Sequence, residues 1–437
     1  MLSPLFTDLY QITMLYAYVN SGKTETAAFE LFTRELPPHR NYLIFAGLPW
    51  VVDFVENLRF SKEEIDYLHS LKLFPDHFLD FLKEFRFTGT VYSMEEGEVF
   101  FQNEPVLRVE APIYEAQLLE TALMNQIHAA SVIASKAARV FTVAGGRKLA
   151  DFALRRTHGT DAGMKVAYST FLAGFDGTSN VLAGKEFGIP VLGTVAHSFV
   201  MAFESEEEAF RAYLKAFPDN AVLLVDTYDT VRGVKRAIKI AKEMGVRLKG
   251  VRLDSGNVIE LSKKVRKLLN EAGFTDCKII VSGGLDEYEI ERIVKAGAPV
   301  DAFGVGTKVG TSADAPYIDL VYKLVQVGSR PIMKTSTGKK MYPGKKQVFR
   351  QEGKDTVALE GENHSGKPLL KPLIKEGRLV RELPTLKEAR EYCIENLKNL
   401  PPELKDIHKR VNYPVEVSPK LLELYRKVRE ELLREEK

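Results

Sequence analysis

The sequence predicts an α/β protein with a parallel sheet. Two observations carry this. From Val191 onward, short apolar runs alternate with amphipathic stretches at a spacing that suits βα units. The segments at the strand ends are polar or glycine-rich: Gly193-Thr-Val-Ala-His197-Ser-Phe199, Asp226-Thr-Tyr-Asp-Thr230, Arg252-Leu-Asp254-Ser-Gly256, Ser282-Gly-Gly284 and Gly304-Val-Gly306-Thr307. In a strand–helix repeat these ends share one rim of the sheet, the side on which such folds bind ligands.

The elements follow in order. Leu9 to Tyr18 reads as a helix after Thr7-Asp8, and Ala27 to Phe32 as a strand. Ser61-Lys-Glu-Glu64 opens a helix by a capping box, because the Ser and Glu side chains can each satisfy the other's backbone N–H. Phe87–Tyr92 and Val106–Glu110 read as strands. Ile113 to Val140 has the length and periodicity of helices with a break, and 142 to 179 is glycine-punctuated and polar. Strands are then expected at Val191–Thr194, Ala221–Asp226, Leu248–Asp254, Lys278–Ser282 and Asp301–Gly304, with helices at 205–217, 230–245, 257–273 and 286–297. Tyr317–Val327 reads as a further strand. Residues 328 to 380 read as short strands with exposed turns, and Thr385–Leu400 and Ser418–Lys437 as amphipathic helices.

The chain has 437 residues and is 45% hydrophobic, enough for two or three domains. Its 61 Lys and Arg nearly balance 59 Asp and Glu, for a formal net charge of +2. No nucleic-acid footprint is expected from that total. No apolar run is long enough to span a membrane, and the two cysteines, Cys277 and Cys393, make no metal pattern or disulfide framework. The start, Met1 to Asp8, lacks a basic segment of the signal-peptide kind, so a cytoplasmic location is the expectation.

The rim residues suggest an enzyme acting on a phosphorylated substrate. His197 offers an imidazole that is largely unprotonated at neutral pH, hence a nucleophile or base; a strand-end histidine satisfied by hydrogen bonds is the other reading. Arg155 and Arg156 follow Phe152-Ala-Leu154 and could hold carboxylate or phosphate through paired hydrogen bonds, or lie solvated. Arg252 and Asp254 are two apart on a strand and so share a face, as an anion site or as a strand-end ion pair. Ser282-Gly283-Gly284 and Gly304-Val-Gly306-Thr307 allow backbone to approach an anion closely, although ordinary turns look the same. Asp226 and Asp229 cap another strand end, and a helix cap accounts for Asp229. His158 fits a packed or surface position as well as a ligand contact. No Walker A motif occurs.

The chain resembles nicotinate phosphoribosyltransferase along nearly its whole length. The resemblance is carried by Thr7-Asp8-Leu9-Tyr10-Gln11-Ile12-Thr13-Met14, Glu115-Ala-Gln-Leu-Leu-Glu120, Asp151-Phe-Ala-Leu-Arg-Arg156, Gly193-Thr-Val-Ala-His-Ser198, Arg252-Leu-Asp-Ser-Gly256 and Phe303-Gly-Val-Gly-Thr307. It implies an irregular type II phosphoribosyltransferase α/β barrel at 113–327. A second α/β domain would be built from 1–112 and 328–437. It also implies the joining of nicotinate to 5-phosphoribosyl 1-diphosphate, giving nicotinate mononucleotide and diphosphate in NAD biosynthesis. ATP would be coupled through phosphorylation of His197, Mg2+ would be used, and homodimers would share their active sites.

The same resemblance assigns roles. Phe152 and the neighbouring chain's Tyr10 would stack on the pyridine ring, Arg155 would hold its carboxylate, and Arg156 a second anion. Ser282, Gly283, Gly284, Gly304, Gly306 and Thr307 would clasp the 5-phosphate. Read from the residues themselves, Arg252 could neutralise phosphate, Asp254 could hold ribose hydroxyls or a water on magnesium, and Asp226 could organise diphosphate, metal water or the histidine. No metal ligand is assigned: the family often has a further acid where this chain has Asn257. Glu115 and Glu120 are expected to be structural. Ser179 stands where the nicotinamide-using relative has an aspartate, and a serine can donate to the carboxylate of nicotinate where an aspartate would repel it. The alternatives are that nicotinamide-using relative, a barrel sugar-phosphate aldolase or isomerase, and a non-enzymatic binder of phosphorylated metabolites.

Overall fold

A computed structural model describes residues 2–335 and 341–435. The chain divides into two compact units, Met1–Val132 with Tyr317–Lys437, and Ile133–Pro316. Both divisions differ from the expected 112/113 and 327/328, and the reason is packing. Helix Ile113–Leu118 lies on the strands Thr26–Thr33 and Leu107–Pro112. Strand Leu320–Val327, expected in the barrel, instead pairs antiparallel with Thr26–Thr33 along nearly its full length.

The first unit is built from both ends of the chain. Its seven-stranded sheet runs 330–331, 320–327, 26–33, 107–112, 90–93, 371–375, 378–379, and a four-stranded sheet is formed by 367–368, 346–351, 354–359 and 415–417. Charges buried here are paired, as burial demands: Lys346 Nζ lies 2.7 Å from Glu30 Oε2, and Arg350 bridges Glu98 and Asp355. The amino-terminal motif locks onto the segment around 115–121. Gln11 Nε2 donates to the Gln117 carbonyl at 3.2 Å, Gln117 Nε2 returns a bond to the Gln11 carbonyl at 2.8 Å, and Thr121 Oγ1 donates to Asp8 at 2.7 Å. Glu115 accepts from the Thr88 N–H at 2.6 Å, so Glu115 is structural, as expected. The Ser61–Glu64 capping box forms.

The second unit is a six-stranded parallel sheet in the order Gly177–Thr178, Lys148–Asp151, Ala302–Val305, Lys278–Ser282, Gly250–Leu253, Val222–Leu224. Helices Thr230–Met244, Val258–Glu271 and Glu287–Lys295 make the crossovers that parallel pairing requires. Their boundaries fall within two residues of those expected. The ladder has two ends, and among the described residues no backbone pairing joins them into a closed barrel.

One expectation is corrected in this unit, and one stretch holds elements that the sequence does not announce. The strand at Val191–Thr194 is a single parallel bridge between Val191 and Thr178. Pro190 has no N–H to give, so the ladder is confined to Thr178 N–H on the Pro190 carbonyl and Leu192 N–H on the Thr178 carbonyl. The stretch 142–179, read as glycine-punctuated and polar, contains two strands of the sheet and helix Thr160–Leu172. That helix buries Gly163, Leu172 and everything from Lys165 to Thr170, so it has no polar face to give it a visible period.

Candidate active site

Because every strand of this sheet runs the same way, all the carboxyl-terminal ends meet at one rim. A cavity of about 560 Å3 opens there, within the second unit. Register sets its floor: Ser282 pairs with Gly304, and Val305 with Asp151. Thr178 pairs with Asp151 on the other side.

Phe152, Arg155 and Arg156 enter from the turn after strand Lys148–Asp151, and Ser179 from the neighbouring strand end. Asp151 holds this turn. Its buried carboxylate accepts from Ala153 N–H at 2.8 Å and Thr178 Oγ1 at 2.7 Å, and its carbonyl accepts from Ser179 N–H at 2.8 Å. Burial pushes the Asp151 carboxyl above the usual aspartate range, against those two side-chain bonds. The Phe152 ring lies over Gly304, where a Cβ would fall far inside van der Waals contact with it.

The glycine segments act as expected of close-approach turns. Gly283 and Gly284 have φ of +90° and +66°, a region that favours glycine. The N–H groups of Gly283, Gly284, Gly306 and Thr307 donate to no protein group among the described residues, and all four residues line the cavity. Orphan N–H groups facing a cavity are suited to anion oxygens.

The charged side is built around Arg252, Asp254, Asp226 and His197. Burial pushes the Arg252 guanidinium down, opposed by Asp254 and Asp226, with Arg155 adding to the depression. Arg252 Nη2 donates to the Val195 carbonyl at 2.8 Å, and its Nε has no partner. Arg155 and Arg156 line the same cavity with no protein counter-ion among the described residues. Asp254 accepts a hydrogen bond from Ser282 Oγ. Asp226 lies beneath the cavity and braces the turn, accepting from Asp254 N–H at 2.8 Å and Ser255 Oγ at 2.7 Å. His197 opens a short helix, His197–Met201. Its Nδ1 is 3.1 Å from Thr227 Oγ1, while Nε2 stands 4.0 Å from Asp226 and 3.8 Å from Asp254.

Four other residues do not line the cavity of this chain. Asp229 and Asn257 cap the helices that follow them, accepting from the N–H of Arg232 and Glu260. His158 is exposed and does not line the cavity. Tyr10 belongs to the first unit, 48% exposed on helix Leu9–Asn20. Thr194, Val195, Ala196, Leu285 and Lys308, to which the sequence assigns no role of their own, also line the cavity. Lys308 follows directly on a glycine segment, and that adjacency was the available signal.

Comparisons with known proteins agree with this geometry. Family models match in three consecutive parts: the nicotinate phosphoribosyltransferase N-terminal domain at residues 5–128, the nicotinate phosphoribosyltransferase family at 147–357, and its C-terminal domain at 330–425. Nicotinate phosphoribosyltransferase pncB2 of Mycobacterium tuberculosis is 49% identical over 427 residues, covering 96% of this chain and 92% of that protein. The Bacillus subtilis nicotinate phosphoribosyltransferase is 40% identical over 455 residues, covering 95% and 92%. Among solved structures, human nicotinic acid phosphoribosyltransferase superposes with a TM-score of 0.87 at 29% identity, covering 97% of this chain and 99% of that one. On these matches, spanning both units and the whole rim, the chain belongs to the nicotinate phosphoribosyltransferase family.

Proposed function

We propose that this rim transfers the 5-phosphoribosyl group of 5-phosphoribosyl 1-diphosphate to the ring nitrogen of nicotinate, a step of NAD biosynthesis. The observation that carries the reading is one cavity lined by three guanidinium groups, unpaired N–H groups and an aromatic face. Its ligands must therefore be multiply anionic and partly aromatic, as these two substrates are.

The bond from ribose C1 to diphosphate oxygen breaks, and the bond from the pyridine nitrogen to C1 forms. Nicotinate brings its own nucleophile, so no strong base is needed. Phe152 offers its ring to the pyridine, while Arg155 and Ser179 donate to the carboxylate. The turns Ser282–Gly284 and Gly304–Thr307 hold the 5-phosphate. Asp254 is oriented by Ser282 and Asp226 to meet ribose hydroxyls, and Arg252 offsets the charge of departing diphosphate. Alignment and electrostatic stabilisation account for the rate.

Magnesium suits this chemistry. Among the described residues no group of three or more His, Cys, Asp or Glu forms a metal cage. Magnesium does not need one, since it keeps water and takes substrate phosphate oxygens. Asp226 Oδ1 is buried without a hydrogen-bond partner and Asp254 faces the cavity, so these carboxylates fit a hydrated ion. The ion would supply positive charge toward diphosphate.

The reading extends to ATP coupling through His197, whose imidazole borders the same rim between Thr227 and two carboxylates. It extends to a homodimer in which the neighbour's Tyr10 completes the site. In its support, Phe6, Leu9, Tyr10 and Met14 leave an apolar patch exposed around the first helix. Both cysteines are unpaired, in keeping with a reducing cytoplasmic setting. An aldolase that works through a lysine Schiff base is disfavoured, because the cavity's lysine, Lys308, is ion-paired with Asp286 at 2.7 Å.

The test is product analysis with nicotinate and nicotinamide compared, each with and without ATP. Nicotinate mononucleotide formed faster than nicotinamide mononucleotide, and faster still with ATP, is the expected result. Faster use of nicotinamide, or binding without product, would overturn the reading.

A further inference from the structure

Lys308 lines the cavity and has no part in the transfer as described above. It follows Gly306-Thr307, while its partner Asp286 follows Gly283-Gly284-Leu285, and the two strands that carry these turns meet with Ser282 opposite Gly304. The Lys308–Asp286 pair, with Nζ 2.7 Å from Oδ2, therefore ties one glycine turn to the other. We propose that Lys308 is the side-chain cation of the 5-phosphate subsite, held over the two glycine turns by Asp286. The inference rests on the transfer reading for the identity of the phosphate ester.

Three further observations support it. The unpaired N–H groups of the turns supply donors but no full charge, and a phosphate monoester carries close to two negative charges at neutral pH. Arg252 donates to the Val195 carbonyl and faces Asp254 and Asp226, carboxylates that already offset its charge. Asp286 is fixed at both oxygens: Oδ1 accepts from Glu289 N–H at 2.9 Å as a helix cap and Oδ2 takes Lys308. Burial pushes the Asp286 carboxyl up, but the bonds from Lys308 and the Glu289 N–H hold it below the usual range, so it stays ionised.

The helix it caps is anchored in turn. Glu287, fully buried, takes Lys136 at 2.6 Å and Arg139 at 2.8 Å. An ammonium has three donors, and Asp286 occupies one. The others remain for a phosphate oxygen, and at 44% exposure the Lys308 side chain is reachable from the cavity.

The experiment is calorimetric binding of ribose 5-phosphate and, separately, of inorganic diphosphate to the full chain. Lys308→Met should weaken ribose 5-phosphate about tenfold or more, the usual worth of a charged hydrogen bond. It should move diphosphate less than about twofold, and Lys308→Arg should recover most of the ribose 5-phosphate affinity. Unchanged ribose 5-phosphate affinity in Lys308→Met, or a loss confined to diphosphate, overturns the proposal.

Reductive methylation of the unmutated chain, read by peptide mass spectrometry, is independent of how the variants fold. Ribose 5-phosphate should protect Lys308 and nicotinate should not; equal labelling with and without ribose 5-phosphate counts against the assignment. A chain that forms no nicotinate mononucleotide yet binds ribose 5-phosphate in a Lys308-dependent way would sink the transfer reading and leave this inference standing.

Discussion

Gly283 is pressed against Asp254: a Cβ on Gly283 would fall far inside van der Waals contact with the Asp254 carbonyl oxygen, and its φ is +90°. Two separate reasons thus exclude a side chain at the turn expected to clasp phosphate. Gly283→Ala should cost about 1–3 kcal/mol of stability through backbone strain, before any clash is counted. It should also weaken ribose 5-phosphate. Gly193→Ala is the control for stability, since nothing lies within 4 Å of the added carbon and no positive φ is required. Urea unfolding of both variants checks this; equal stabilities would remove the strain argument.

Ser179 and Arg155 line one cavity. In Ser179→Asp a second carboxylate would stand near the carboxylate of nicotinate. The preference for nicotinate over nicotinamide should fall by about tenfold or more, the effect of a like charge at close range. Competition between the two bases at equal concentration measures it. A preference equal to that of the unmutated chain would mean that Ser179 does not face the substituent.

The rim was legible in the sequence because parallel strands deliver their ends to one side. Residues placed by strand register, such as Arg252, Asp254, Ser282 and Gly304, were expected there and lie there. What was illegible has physical causes. Helix Thr160–Leu172 is buried almost all round, so its sequence shows no period. Strands Lys148–Asp151 and Gly177–Thr178 are too short to alternate. Strand Leu320–Val327 reads as an ordinary strand, and no local feature says that its partner is Thr26–Thr33, far away in the chain. Lys308 was not legible because its contact with Asp286 joins two turns that lie after different strands.

Asp151 gives a pH signature. Its carboxyl is held above the usual range mainly by burial. A carboxyl raised in the folded state favours folding while protonated; the unfolded chain releases that proton first, so stability is lost as pH rises from the ordinary value toward the folded one. Asp151→Asn cannot ionise. Relative to this variant, the unmutated chain should lose stability as pH rises above about 4, the ordinary aspartate value. Urea midpoints of the two proteins across that window check the sign, and parallel curves would show that Asp151 does not titrate with folding.

The proposed dimer with a shared site makes a complementation prediction. Tyr10→Ala and Arg155→Ala chains should each be impaired as homodimers. A mixed dimer should regain up to about half of the unmutated activity, because one of its two sites keeps both native side chains. Activity assays on mixtures refolded together provide the check. No recovery, or full activity in a purified monomer, would rule out a Tyr10 contribution across the interface.

His197 carries the last prediction. Its Nδ1 faces the Thr227 hydroxyl and its Nε2 faces two carboxylates, so the ring is oriented by neighbours and borders the cavity. An oriented imidazole at an anion rim is suited to attack the terminal phosphorus of ATP, forming an N–P bond as ADP departs. On the proposed reading, the phosphoryl group would then add negative charge beside the diphosphate position, and its later loss to water would let ATP hydrolysis drive transfer in the productive direction. Incubation with ATP and magnesium should give an acid-labile phosphoryl group on the peptide containing His197, seen by mass spectrometry at neutral pH and lost when nicotinate and 5-phosphoribosyl 1-diphosphate are added. His197→Asn should abolish that group and uncouple ATP hydrolysis from transfer. Synthesis of nicotinate mononucleotide without ATP should persist at a reduced rate, because the phosphate turns and Arg252 are untouched. ATP coupling that survives in a folded His197→Asn protein would reject the role, whatever happens to synthesis itself.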